Sequence, residues 1–306
     1  MTRYIVQRII SLIPIIFGVS FLVFLILAFV PGDPAQVVAG MDASSEEVEH
    51  VRKALGLDRP LYVQYGIFLA NAAQGDFGRS IRSRRPVLEE VASRLPYTVA
   101  LALAALAVAV GIGLPAGILS AIKRYTIWDN IAMVVAVLGV STPGFWLGLM
   151  FIIFFSVQLG WLPTSGADSW RHYILPAVSL GMASGAMIAR QTRSAMLDII
   201  GQDYIRTARA KGFSERVVIV RHALKNALIP VVTIIGLRLG TLLGGSVVIE
   251  MVFAWPGLGR LLVESIGFRD FPMVQVGILL LACGFLLANL LVDILYVYLD
   301  PRIRYG

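Results

Sequence analysis

Charged residues are missing from long stretches of the chain. Residues 9–30, 95–122, 130–167, 172–189 and 271–292 contain no Asp, Glu, Lys or Arg, and 226–249 contains only Arg238. A helix rises about 1.5 Å per residue, so about 20 apolar residues cross about 30 Å of hydrocarbon. The runs predict six spans, near 9–30, 97–121, 131–157, 174–190, 227–249 and 274–299, the fourth being the shortest. They do not alternate polar and apolar residues as barrel strands do. Lipid offers no partner to a free backbone N–H or C=O, so the spans are helices. The first run follows Arg3 and Arg8 as a signal peptide would, but its 22 apolar residues are too long and no small-x-small cleavage site follows. It is read as a permanent helix. The prediction is an all-α polytopic membrane protein. Residues 1–30 form an N-terminal segment with the first span, 31–96 an outer loop, and 97–306 a core that includes the loop 191–226.

The outer loop carries helix signals of its own. Ser44-Ser45-Glu46-Glu47 is a capping-box pattern, with Val48, Val51, Ala54 and Leu55 on one face and Gly56 as the stop. Pro60 opens a second helical stretch that ends near Gly75. Such a segment is either a docking surface or a lid packed on the bundle.

Small residues recur at four-residue spacing. Gly236, Gly240 and Gly244 lie in the fifth run, and Gly113/Gly117, Gly144/Gly148 and Gly181/Gly185 repeat the pattern. They predict close helix packing, within this chain or with a second subunit. Pro14, Pro115, Pro143, Pro176 and Pro230 fall in or beside spans, where they allow kinks. Two charges lie inside the apolar runs, Arg238 and Asp293. An ionisable group at that depth faces the protein interior or a wet cavity. The pair reads either as part of a translocation pathway for a zwitterionic or anionic solute, or as a structural ion pair.

Composition agrees with the pattern. The 306 residues are 58% hydrophobic and only 15% charged, with a mean hydropathy of +0.80. That excludes a disordered chain, a coiled coil and a soluble enzyme. The net charge of +7 would suggest nucleic acid on a soluble protein. Here its distribution explains it. Fourteen Lys and Arg fall at the termini, at 123–124 and in 190–226, against three (Arg171, Arg260, Arg269) in the short loops opposite. The positive-inside rule therefore places both termini and the loop 191–226 in the cytoplasm, and no nucleic-acid partner is needed. Cys283 is the single cysteine and reads as a small buried hydrophobe. His50 and His172 are assigned to the side opposite His222, so no metal site is expected.

The most informative stretch is Asp203-Tyr204-Ile205-Arg206-Thr207-Ala208-Arg209-Ala210-Lys211-Gly212-Phe213-Ser214. Asp203 is placed to cap a short helix, Gly212 to end it in a left-handed residue, and Ser214 to cap the next helix, which runs toward Pro230 and the fifth span. The product is a knob fixed to a span, able to carry a push from a soluble partner into the bundle. The alternative is a basic loop lying on anionic lipid.

This stretch resembles the "EAA" loop of permease subunits of bacterial ABC importers, in the dipeptide/oligopeptide/nickel branch. That loop reads Glu-Ala-Ala-x-x-x-Gly and, nine residues later, Ile-x-Leu-Pro; here Arg206-Thr207-Ala208, Gly212 and His222-Ala223-Leu224-Lys225 take those places. Ala208, Gly212 and Leu224 match, and the departures are those of the peptide branch. Further similarities are Pro31-Gly32-Asp33-Pro34, Gly75-Asp76-Phe77-Gly78, Trp255-Pro256-Gly257-Leu258-Gly259-Arg260 and Asp300-Pro301-Arg302-Ile303-Arg304. Gly160-Trp161-Leu162-Pro163 with Gly166-Ala167-Asp168-Ser169-Trp170 is most similar to glutathione-import permeases.

The resemblance implies a type I ABC importer transmembrane fold in the bacterial inner membrane, moving peptides by alternating access. It implies a second homologous permease, two ATPases that bind ATP and Mg, and a periplasmic or lipoprotein substrate-binding protein. Residues 203–213 would be the coupling helix, with Asp203, Tyr204, Arg206, Thr207, Ala208, Lys211 and Gly212, and then His222 and Leu224, at the ATPase contact and its turn. No cofactor is expected in this chain. It has no Gly-x-x-x-x-Gly-Lys-Ser/Thr loop, Gly-x-Ser-x-Gly elbow or His-Glu-x-x-His. Two rivals stand beside this reading. A secondary transporter of small zwitterionic solutes, driven by an ion gradient, would use Arg238 and Asp293 directly. An intramembrane enzyme would use loop carboxylates such as Asp76, Glu89 and Glu90.

Overall fold

The computed structural model describes residues 2–30, 32–40 and 42–299. Pro31, the side chain of Arg3 and the segment Asp300-Pro301-Arg302-Ile303-Arg304 lie outside them. Helices account for nearly all of it; among the described residues the one β-type pairing is a bridge between Arg79 and Pro86. The chain divides into two compact units, one of Val99–Trp255 with the chain from Phe285, the other of Thr2–Thr98 with Pro256–Gly284.

The unit of residues 2–98 and 256–284 starts with α1 (Thr2–Phe29), followed by α2 (Pro34–Ala39), α3 (Ser45–Ala54) and α4 (Leu61–Ala73). The predicted capping box opens α3: Ser44 N donates to Glu47 Oε2 at 2.7 Å, and Glu47 N donates to Ser44 Oγ at 3.3 Å. Glu47 Oε2 accepts from Ser44 N and, at 2.9 Å, from Ser44 Oγ, and these two bonds favour the carboxylate and hold Glu47 below the ordinary glutamate range. Asp33 caps α2 by accepting from Ala35 N at 3.0 Å, and it pairs with Arg52 at 2.5 Å. Tyr65 of α4 shares a 2.7 Å bond with Ser20 of α1 and packs its ring against Phe21 and Phe24. The first twelve residues of α5 (Val87–Ile122), α12 (Leu258–Gly267) and the start of α13 (Phe271–Leu299) complete this unit. Asp270 is buried at the head of α13 and accepts from Ser80 Oγ at 2.5 Å and Arg82 N at 3.3 Å, which anchors the outer loop to a span.

The other unit holds the rest of α5, α6 (Ile127–Ser141), α7 (Gly144–Phe151) with a π-helical continuation over Ile152–Gln158, and α8 (Arg171–Ile200). Then come α9 (Asp203–Ala210), α10 (Glu215–Val217), a π-helical turn Val218–Leu224 and α11 (Lys225–Val252), the last three forming one helix of 38 residues. The end of α13 closes it.

Among the described residues, five helices are long and apolar enough to cross a membrane, or six if the bent pair α6–α7 is one span. That pair occupies the single span read over 131–157, and the kink that Pro143 allows is a turn of 102° between Ser141 and Gly144. Pro143 has no N–H to continue the ladder, and it forces Thr142 into the extended region at φ −86°, ψ 123°. The fourth span, read over 174–190, is a helix of thirty residues and the most buried of all, with 56% of its apolar window inside the protein against 28% or less elsewhere. Its glycines explain how. A Cβ on Gly181 would sit 2.5 Å from the Ala105 carbonyl oxygen, and one on Gly117 would sit 2.5 Å from that of Ala189. Gly113 faces Gly185 in the same seam, so α5 and α8 touch backbone to backbone.

Candidate functional site

α9 is a two-turn helix with a strongly one-sided pattern. Ile205 and Ala208 are buried and join a cluster with Ile188, Met196, Val218, Ile219 and Ala227 from α8 and the helix that becomes α11. Asp203, Tyr204, Arg206, Thr207 and Lys211 lie on the exposed side. Two expectations change here. Gln202, not Asp203, is the N-cap residue, and Asp203 sits in the first turn, where its charge suits the helix dipole and meets Arg206 at 3.4 Å. Ala208 is an anchor turned into the core rather than a residue presented to a partner, and Leu224 packs against the same cluster.

The end of α9 follows from Gly212. Its φ of +81° is a left-handed conformation that suits glycine. Gly212 N donates to Arg209 O at 2.9 Å and Phe213 N to Ala208 O at 3.4 Å, the paired bonds of a Schellman turn. The chain thus reverses tightly into Ser214, which holds the N-cap position of α10 without a side-chain bond.

Three contacts then tie α9 to the base of α11. Arg209 grips Glu215 across the turn with Nε–Oε1 at 2.7 Å and Nη2–Oε2 at 3.3 Å. This fork holds the Arg209 guanidinium above its usual range. Asn226 Nδ2 donates to Tyr204 Oη at 2.8 Å, and Tyr204 Oη donates to the His222 carbonyl at 3.4 Å. Phe213 packs on the His222 ring at 5.6 Å between centroids. His222 is therefore a packing partner of the turn. The π-helical turn Val218–Leu224 sits at this junction, where an extra residue per turn re-aims the helix.

A buried ion pair lies nearby. Asp129, 2% exposed, receives Arg193 through a two-pronged bond, Nε–Oδ1 at 2.7 Å and Nη2–Oδ2 at 2.8 Å, together with Ser120 Oγ and the Tyr125 amide at 2.9 Å. It fixes the turn between α5 and α6 to α8. In the sequence Arg193 is one more basic residue of the loop 191–226, and the available signal is Asp129 alone beside an apolar run. Glu250, fully buried at the end of α11, was also passed over, and it accepts from Ser246 Oγ at 3.1 Å.

Arg238 is half-buried on α11, and among the described residues no ion pair joins it to Asp293. It shares a helical face with Thr241, Gly245 and Val248, which line a cavity of about 350 Å³ together with Ser179 and Ser184 of α8. Its lining is largely apolar, with Phe145, Leu180, Leu242 and Ile249, and the hydroxyls of Ser179, Ser184 and Thr241 are its polar groups. Gly236 and Gly240 pack on α13, against Val292 and Phe285, whereas nothing lies within 4 Å of a Cβ at Gly244. Among the described residues no three His, Cys, Asp or Glu are grouped to hold a metal.

A family model described as the binding-protein-dependent transport system inner membrane component matches residues 113–305, and the model for that component's N-terminal part matches residues 1–102. The chain belongs to this family. It is thus a multi-pass inner-membrane permease subunit of an ABC importer. Among curated relatives, the glutathione transport system permease proteins of Escherichia coli K12 and of Shigella boydii serotype 4 are each 52% identical over 305 residues, covering 100% of both chains. Among solved structures, an inward-facing methionine ABC transporter, MetNI, aligns with a TM-score of 0.59 at 24% identity, over 70% of this chain and 97% of that one. An amino acid ABC transporter aligns with a TM-score of 0.55 at 18% identity, over 69% and 94%. These two likenesses establish the type I importer fold of the permease.

Proposed function

We propose that this permease subunit carries glutathione, or a closely related short peptide, inward across the cytoplasmic membrane, driven by separate ATPase subunits that push on α9. The observation that carries the substrate class is the full-length 52% identity to permeases named for glutathione transport. Glutathione is a tripeptide of net negative charge at neutral pH. The α11 face with Arg238, Thr241, Gly245 and Val248 offers such a solute a cation and a hydroxyl beside a cavity of about 350 Å³. We assign that face to the pathway, with Asp293 further along the bundle.

For coupling, the exposed side of α9 is the part that meets an ATPase: Asp203, Tyr204, Arg206, Thr207 and Lys211, with Gly212 setting the turn. His222, Leu224 and Ala208 back it from inside. The excess of Lys and Arg supports placing both termini and the loop 191–226 in the cytoplasm. The working assembly then has a second homologous permease, two ATPases that hold ATP and Mg, and an external substrate-binding protein. This chain hydrolyses nothing itself.

The test uses the complete assembly in proteoliposomes with labelled glutathione and a labelled dipeptide. Uptake of glutathione should require the binding protein and ATP and ignore an uncoupler. Arg206→Glu should strip the ATPases during purification and abolish uptake while the permease stays in the membrane. Uptake that survives without ATP and collapses with the uncoupler would return the chain to the ion-gradient class. A preference for the dipeptide would move the substrate and leave the coupling intact.

A further inference from the structure

The unit of residues 2–98 and 256–284 carries an open cavity of about 520 Å³ that the transport reading does not use. Its apolar wall comes from Phe24 and Leu27 in the last turns of α1, Val38 of α2, and Phe271 in the first turn of α13. Two spans thus meet the cavity with their ends, at the level where hydrocarbon gives way to lipid headgroups.

The polar side of the cavity is made of donors. Among the described residues no Asp or Glu lines it. The Ser80 hydroxyl is already committed to Asp270, and the Gln64 amide nitrogen to the carbonyls of Leu57 and Arg59. Arg79 gives one N–H to the Arg84 carbonyl at 3.2 Å, and neither guanidinium meets a carboxylate among the described residues. Gln275 Nε2 is buried and has no hydrogen-bond partner among the described residues. Two exposed planar cations and an unmatched amide donor, set against an apolar wall, suit a ligand with several acceptor oxygens, negative charge and an aliphatic part.

We propose that this cavity holds the phosphate and the first acyl carbons of an anionic phospholipid. The guanidiniums of Arg79 and Arg84 take the phosphate oxygens. Phe24, Leu27 and Phe271 cover the start of the chain, and the rest of the lipid stays in the bilayer. The volume lies in the range of about 300–1,000 Å³ for small-molecule pockets, enough for a headgroup and part of one chain. A seated lipid would bridge the outer loop to α1 and α13.

The test is native mass spectrometry of the full-length protein in detergent, titrated with phosphatidylglycerol, phosphatidylcholine or inorganic phosphate. The wild type should keep one phosphatidylglycerol at concentrations where phosphatidylcholine is lost. Arg79→Gln with Arg84→Gln should weaken that retention by about tenfold or more, the loss of at least one charge-assisted bond. Ala28→Trp, which fills the cavity and leaves both arginines in place, should remove the same lipid. Equal retention by wild type and by either variant would overturn the proposal. Displacement of the lipid by millimolar inorganic phosphate would overturn it as well, since the site would then be one for a free anion.

Discussion

At the scale of single residues, the Asp129–Arg193 pair shows why one carboxylate can matter more than the fourteen cations counted along the loops. Asp129 is all but removed from water, and both its oxygens are occupied by a guanidinium fork, a hydroxyl and an amide. A buried pair contributes little net energy compared with apolar residues of equal volume, but removing one member strands the other. Asp129→Asn should therefore lower the stability of the purified protein by about 2–3 kcal/mol, read as a fall in its midpoint in a detergent or denaturant titration. Asp129→Leu combined with Arg193→Met should recover most of that loss. A double variant as damaged as the single one would mean that the pair does more than fix the α5–α6 turn. Gly212 makes the complementary point. Nothing crowds its Cβ position, so its importance lies in its φ of +81° and not in space.

At the scale of helices, the same residue type divides along one stripe. A Cβ at Gly236 would lie 2.6 Å from Val292 Cγ2, whereas at Gly244 it would meet nothing within 4 Å. Gly236→Leu should push α11 from α13 and cost about 1–3 kcal/mol. Gly244→Leu should leave the stability of the purified chain within about 0.5 kcal/mol. Equal midpoints for the two variants would show that α11 and α13 are not packed at this seam. The stripe was legible in sequence as a spacing, but which of its members touch a neighbour was not, because the partner helix is about fifty residues away. The spans themselves were legible because lipid imposes one rule, twenty apolar residues without charge, on every helix it surrounds. The rule weakens where protein replaces lipid. α8 reads as a short span because Ser, Gly, Ala and Arg190 interrupt its apolar character, and among these Gly181, Gly185 and Ala189 are where α5 approaches it. It also measures length without direction, so the 102° turn at Thr142-Pro143 passed as continuous apolar sequence although Pro143 was in view. Around α9, the short helix and its stop at Gly212 are legible, whereas the inward turn of Ile205 and Ala208 depends on a helix phase that two turns of sequence do not define.

At the scale of the whole molecule, the question is whether α9 can move without α11. Its buried face shares one cluster with the base of α11, Tyr204 reaches Asn226, and the Arg209–Glu215 fork spans the turn between them. A push on α9 is then a push on a single helix of 38 residues that runs past Arg238 to the cavity bounded by Thr241 and Gly245. The fork is half exposed, so as an energy it is small, about 0.5–1 kcal/mol. Its role would be geometric, keeping α9 at a fixed angle to the helix that follows. That separates two kinds of variant. Arg206 lies on the outer side of α9, and reversing it should remove the ATPase. Glu215→Arg leaves the outer side untouched, so the ATPase should still co-purify and still hydrolyse ATP, but fewer solute molecules should cross per ATP, by about two- to fivefold for a loss of this size. Arg209→Glu with Glu215→Arg restores the fork with its charges exchanged and should restore most of the ratio. If Glu215→Arg transports as many molecules per ATP as the wild type, α9 is held by its apolar face and the Tyr204–Asn226 bond, and the fork has no part in passing the stroke to α11.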